Sequence, residues 1–325
     1  MAEPSLHLLV FNVRPARLIF SCLIAGVCLA AAQAPTPPVE TPPAKDPSKA
    51  VLRFAVYGDT RDGHDTHRAI IADVMSKQPG MVLQTGDLVS DSSIAAQWSI
   101  FEEITGKMRT AIPYYPARGN HDNQGGEFFQ KYVPKEGVHR EGFYYSFEVG
   151  SIHFVAVDTE ESLVVAGAQY LWLDADMKAA RAADRFIIPF YHKATYSVGS
   201  HATQRAIWEM RPVLHDLFRK YGVLLVFQGH DHIYYRTVRD GITYVVTAGG
   251  GAPLYGLDHT EIGIPGDVYE SVNHFCIGDV FEDRVEVTAY RVDLSVLDTI
   301  TIVIPPGQTP LSRPVPTDPL SPPPR

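Results

Sequence analysis

Five short motifs carry residues able to hold metal ions: GDTR at Gly58 to Arg61, GDLV at Gly86 to Val89, GNHD at Gly119 to Asp122, FYHK ending in His192 and Lys193, and GHDH at Gly229 to His232. Their aspartates, asparagine and histidines offer oxygen and imidazole donors, a mixture that suits one or two borderline divalent metals such as Zn, Fe, Mn or Ni. Hydrolysis at a metal centre is the chemistry expected of such a set. Each motif follows an apolar, strand-like run, at 54–57, 81–85, 114–116, 187–191 and 224–228. The donors are therefore expected at the carboxyl ends of strands in one sheet, the crevice where open α/β sheets bind ligands.

The elements that must position these donors read as alternating strands and helices. Helices are predicted over 67–76 and over 93–108, where Ile94, Trp98, Phe101 and Ile104 recur at helical spacing. A hairpin-like pair, 142–149 and 151–158, turns at Gly150-Ser151, and helices are predicted at 168–183, with Leu171, Leu173 and Met177, and at 203–221. Five strands follow the last motif, at 233–239, 242–248, 275–281, 285–292 and 297–304, with turns at Asp240-Gly241 and Glu282-Asp283. The predicted fold class is α/β, a four-layer α/β/β/α sandwich with two mixed β-sheets. Gly249-Gly250-Gly251 lacks the Lys-Ser/Thr and the helix of a phosphate-binding P-loop, and reads as a tight turn near the centre.

With 325 residues and 45% apolar content the chain can fill a real core. A formal charge of -9 argues against a protein that wraps nucleic acid. Residues 1–34 read as a secretory signal: Arg14 and Arg17 precede an apolar run from Leu18 to Ala32, too short for a comfortable membrane span, and Ala30-x-Ala32 predicts cleavage before Gln33. A retained membrane anchor is the alternative reading. Loss of the segment removes Glu3, Arg14 and Arg17 and leaves the balance acidic. Residues 35–50 read as a Pro-rich linker, 51–304 as one catalytic domain and 305–325 as a Pro-rich tail. Of three cysteines, Cys22 and Cys28 leave with the signal, and Cys276 is expected to be a buried, inert thiol.

In the order of its motifs, and above all in Gly229-His-Asp-His-Ile-Tyr-Tyr-Arg236 followed by Thr247-Ala-Gly-Gly-Gly251, the chain resembles the calcineurin-like metallophosphoesterases, and within them the bacterial relatives of purple acid phosphatases. The resemblance implies two divalent or trivalent metal ions (Fe, Mn or Zn) bridged by Asp87, the first also held by Asp59 and His232, the second by Asn120, His192 and His230. It implies hydrolysis of phosphate esters by a metal-bound hydroxide. His121 is expected to contact phosphate or protonate the leaving group, Asp122 to orient its ring, and His201 to act as a further substrate histidine. Two positions depart from the pattern: Arg61 stands where the family usually has a histidine, and Ser90 where the purple enzymes have a tyrosine. The fourth ligand of the first metal then falls to His64, His67 or water, and no purple charge-transfer colour is expected. Arg61 reads either as a clamp for substrate phosphate or as the partner of a carboxylate such as Asp62.

The function expected on this basis is that of an exported phosphoesterase, periplasmic or secreted, most readily a phosphomonoesterase. Phosphodiester or nucleotide hydrolysis, a non-catalytic metal- or phosphate-binding relative, and a tethered surface scaffold are the alternatives. A small phosphorylated substrate is the expected partner, with no stable nucleic-acid partner, and with membrane contact only if the N-terminal segment stays uncleaved.

Overall fold

The computed structural model describes residues 45–123, 130–135 and 137–306; the segment read as a signal, most of the linker and residues 307–325 of the tail lie outside the described residues. In chain order the first half contains β1 (Leu52–Tyr57), α1 (His64–Ser76), β2 (Met81–Gln84), α2 (Ala95–Ala111), β3 (Tyr114–Pro116), β4 (His139–Glu141), β5 (Tyr144–Val149) and β6 (Ile152–Ala156). After these come α3 (Ala168–Ala182), β7 (Phe186–Lys193), α4 (Arg205–Lys220), β8 (Leu225–Gly229), β9 (Tyr234–Arg239), β10 (Ile242–Thr247), β11 (Val268–Glu270), β12 (His274–Val280), β13 (Arg284–Arg291) and β14 (Val296–Val303).

The strands form two mixed sheets, one of six in the order β14-β13-β12-β1-β2-β3 and one of eight in the order β11-β9-β10-β8-β7-β6-β5-β4. This corrects the expectation that the motif-bearing strands share one sheet. β1, β2 and β3 run parallel in the first sheet, whereas β7 and β8 run parallel in the second. The strand-then-turn pattern is the same in both sheets, so it carries no mark of which sheet a strand joins.

The two sheets pack face to face through aromatic side chains. Phe54 of β1 meets Phe154 of β6 and Phe227 of β8 edge-on at 5.6 and 6.0 Å, and Tyr115 stacks on Phe147 at 3.7 Å. Phe54, Phe154 and Phe227, fully buried, each contribute roughly 1.5–3 kcal/mol by leaving water. Helices cover the outer faces. On the larger sheet Val155, Ile187, Val226 and Tyr244 pack against Leu173 and Met177 of α3 and Leu214 and Phe218 of α4. On the smaller sheet Tyr57 turns outward against His67 of α1. Because β1 is covered on both faces, it reads as a continuous apolar run instead of an alternating one.

One local expectation is corrected. Leu171 does not belong to the apolar face of α3 but is 56% exposed, the inward face being Leu173, Met177 and Ala180. The end of the Pro-rich linker is docked, since Asp46 caps a short 3-10 turn at Pro47–Lys49 and the Lys45 ammonium lies 2.7 Å from Asp283. The three-residue strands β4 and β11 have no counterpart in the predicted elements, being too short for a period to show. Cys276 is buried in β12, and burial pushes its thiol up to about 12.

Candidate metal centre

The carboxyl ends of β1, β2, β3, β7 and β8 meet along one edge of the sandwich. Asp59 lies just past β1, Asp87 past β2 and Asn120 past β3, while His192 is within β7 and His230 and His232 follow β8. The loops are tied to each other by backbone: the Asp59 amide donates to the Gly86 carbonyl (2.9 Å), the Thr60 amide to the Asp87 carbonyl (3.0 Å), and the Ala252 amide to the Asp59 carbonyl (2.9 Å). The 249–251 turn thus packs on the Asp59 loop, as its sequence suggests. Asp59, Asp87 and His230 all hold left-handed backbone, with φ of 57°, 56° and 73°. Gly86, at φ 103°, leaves room that any Cβ would take, 2.6 Å from His192 Nδ1, and a Cβ on Gly119 would strike Asp87.

The structure brings Asp59, Asp87, Asn120, His192, His230 and His232 together, all buried except the half-buried Asn120. His192 Nδ1 donates to the Thr85 carbonyl at 3.0 Å, so in the neutral ring Nε2 carries a lone pair. Around Nε2 lie Asn120 Oδ1 at 3.0 Å, His230 Nδ1 at 3.1 Å and Asp87 Oδ1 at 3.4 Å. Lone-pair atoms turned toward one another repel unless a cation stands among them. This donor set fits a divalent metal of borderline hardness. On the other side of the centre His232 Nδ1 donates to the Pro253 carbonyl (2.7 Å), and His232 Nε2 faces Asp59 Oδ1 at 3.4 Å. Asp59, Asp87 and His192 each place a donor atom within 4.8 Å of the other two.

The electrostatics of the ligand histidines are uneven. Burial alone would push His192 down, but the charges of Asp87 and Asp59 outweigh it and hold its pKa above the ordinary value. Proton and metal therefore compete for the same nitrogen. Burial, with the charge on His192 next, holds His230 well below the ordinary value, which keeps it a neutral donor.

The remaining candidate residues are placed as follows. His121 donates through Nδ1 to the Ser90 carbonyl at 2.6 Å and turns Nε2 toward the centre, 3.9 Å from Asp87 Oδ2. Asp122 does not orient that ring, contrary to expectation. The 3-10 turn at His121–Asn123 directs its carboxylate beneath the loop, where it accepts from the amides of Asp87 (2.8 Å), Leu88 (2.9 Å) and Gly119 (2.9 Å). Burial and the nearby charge of Asp87 push Asp122 up, and the Gly119 and Leu88 amides and the charge of His192 oppose them. His201 packs on His230 at 4.2 Å between ring centres and donates through Nδ1 to Asp231 at 2.9 Å. Arg61 donates to Asp62 (3.0 Å) and to the Tyr255 hydroxyl (3.1 Å). His64 and His67 line a separate cavity of about 80 Å³ beside Arg61 and Ser90. His67 rests against Tyr57 and Phe101, and burial holds its pKa down at about 3, as befits a core histidine.

Sequence reasoning missed the supports. Thr85, Ser90 and Pro253 act through backbone carbonyls, which no side-chain pattern reveals. Asp231 holds the His201 ring and sits inside the GHDH motif itself, where its position between two donor histidines was a usable signal. Tyr255 stacks flat on His232 at 3.9 Å and touches His201 at 5.0 Å, from a loop with no motif.

An α/β/β/α sandwich whose two sheets bring carboxylate, amide and imidazole donors to a shared edge has the make-up of a metal-binding site. The sequence profile of the calcineurin-like phosphoesterases matches residues 52–234, and the chain belongs to that family. It is 28% identical to purple acid phosphatase 18 of Arabidopsis thaliana over 62% of this chain and 47% of that protein, and 29% identical to acid phosphatase type 7 of Mus musculus over 57% of this chain and 47% of that one. The chain thus spans about half the length of these relatives. Among solved structures, purple acid phosphatase PPD1 from yellow lupin seeds shares the fold with a TM-score of 0.67 at 23% identity, over 78% of this chain and 53% of that one.

Proposed function

We propose that the chain is a metal-dependent phosphoesterase acting on small phosphomonoesters, exported to the periplasm or the medium. The observation that carries this reading is the placing of Asn120, His230 and Asp87 donor atoms around His192 Nε2, beside a histidine and an arginine. Those four residues would hold one metal ion, and Asp59 and His232 offer donors for a second. A bound divalent cation supplies Lewis acidity to a phosphoryl oxygen and acidity to water.

The chain's own groups account for the rest. Asp59 and Asp87 bring two negative charges, which a bound dication together with the Arg61 guanidinium would overbalance, so that a phosphate anion is welcome. His121 is 32% exposed at its side chain, and the Ser90 carbonyl holds its ring so that Nε2 is the atom able to carry a proton toward the leaving oxygen. His201, anchored by Asp231, likewise presents Nε2 and lies beside His230. Apolar packing of both sheets leaves this edge as the polar end of the sandwich. Supporting the export reading is the N-terminal sequence pattern alone.

Protein stripped of metal, then reloaded separately with Mn, Zn or Fe, is expected to hydrolyse a chromogenic phosphomonoester faster than the matching phosphodiester. Failure to turn over either ester with metal bound would sink the reading; a faster diester would reassign the substrate class.

A further inference from the structure

The two halves of the centre are unequal because of Arg61. Its guanidinium is held by Asp62 Oδ2 at 3.0 Å and by the Tyr255 hydroxyl at 3.1 Å. Its Nε is buried, makes no hydrogen bond, and lies 3.5 Å from Asp87 Oδ2, with the side chain only 14% exposed. Tyr255, which fixes one end of the guanidinium, is itself fixed by stacking on His232 within 12° of parallel. A locked cation therefore faces one oxygen of the carboxylate whose other oxygen faces the Asn120, His192 and His230 donors.

On the His192 side, Asn120 Oδ1, His230 Nδ1 and Asp87 Oδ1 all lie within 3.4 Å of His192 Nε2. On the His232 side Asp59 Oδ1 and His232 Nε2 are 3.4 Å apart, and the next available oxygen, Asp87 Oδ2, already faces Arg61. A guanidinium has no lone pair to offer a metal, and its charge repels a second cation. We propose that this chain holds one metal ion tightly, through Asp87, Asn120, His192 and His230, and that the Arg61 guanidinium supplies the second positive centre of the site. The planar fork is suited to phosphate oxygens. Asp62, whose side chain is 45% exposed, is the partner a phosphate can displace. The inference rests on the phosphoesterase reading for the identity of the anion, while the metal count stands apart from it.

Native mass spectrometry after loading with excess Mn(II) and desalting is expected to find one ion per wild-type chain and two in Arg61→His, where a neutral donor replaces the cation. Titration of the one-ion protein with inorganic phosphate is expected to show binding weakened at least about tenfold in Arg61→Ala and partly kept in Arg61→Lys. Two ions in the wild type, or none, would overturn the proposal, as would a count of one in folded Arg61→His or undiminished phosphate binding in Arg61→Ala. Should Arg61→His fail to fold, the wild-type count and the Arg61→Ala titration decide. One ion in the wild type and two in Arg61→His, without hydrolysis of any ester, would uphold this proposal and sink the phosphoesterase reading; two ions in an active wild type would do the reverse.

Discussion

Among the described residues two clusters of aspartate and histidine invite comparison, and their donor geometry differs. Behind the larger sheet, Asp176 of α3 accepts from Ser146 (2.8 Å) and His139 (3.1 Å) on one oxygen and from His153 (2.8 Å) on the other. Every close contact there joins a donor to an acceptor. At the edge of the sandwich His192 Nε2 is instead ringed by Asn120 Oδ1, His230 Nδ1 and Asp87 Oδ1, its own Nδ1 proton spent on the Thr85 carbonyl, although Asp87 Oδ1 also accepts the His121 amide. Residue types alone do not separate the two. What separates them is whether the lone pairs already have protons to meet.

That contrast can be broken most sharply at Asn120. Replacing Asn120 by Ala removes one donor from the ring, and kcat/KM is expected to fall by more than the roughly 100-fold typical of supporting residues, with metal content reduced and the melting transition little moved. Unchanged metal content, read by elemental analysis, would place the ion elsewhere. The satisfied cluster should behave in the opposite way. Asp176→Asn is expected to cost about 2 kcal/mol of stability, measured by urea unfolding, and to leave turnover intact. Burial opposes ionisation of Asp176, but His153, His139 and Ser146 outweigh it and hold its pKa below the ordinary 3.8. A depressed carboxylate stabilises the fold at pH values above its unfolded pKa and loses that contribution as pH falls through the folded one. The gap between wild type and Asp176→Asn is therefore expected to be full at pH 5–7 and to close below pH 3.8. A smaller effect sharpens the comparison from within the centre: Asp231→Ala removes the acceptor that holds the His201 ring and is expected to lower kcat/KM about tenfold without changing the metal count. A lowered count would make Asp231 part of the metal's own support.

Much of this was legible before any coordinates. The donors Asp59, Asp87, Asn120, His192, His230 and His232 each follow or end an apolar run, so a strand delivers each to its place, and the runs of β1, β2, β7 and β8 are long enough to read. Sheet membership was not legible, because strand pairing joins segments far apart in sequence: Phe54 of β1 lies opposite Gly278 of β12. Nor was the role of Asp122. Adjacent to His121 in sequence, it is swung away by a single 3-10 turn and binds three amides. Tyr255 had no signal at all, since its partners His232 and Arg61 belong to distant motifs.

The left-handed backbone at Asp59, Asp87 and His230 has a consequence for how such a chain can drift. A left-handed conformation costs an ordinary residue about 1–2 kcal/mol, and glycine nothing comparable. Selection for foldability alone would thus steer these three positions toward glycine, and each such step would relax the chain while removing a ligand. Aspartate and histidine tolerate this backbone better than most residues but less well than glycine, so their present identities give up some local stability. A lineage released from its chemistry would be expected to forfeit these donors early and to gain thermal robustness as it did so.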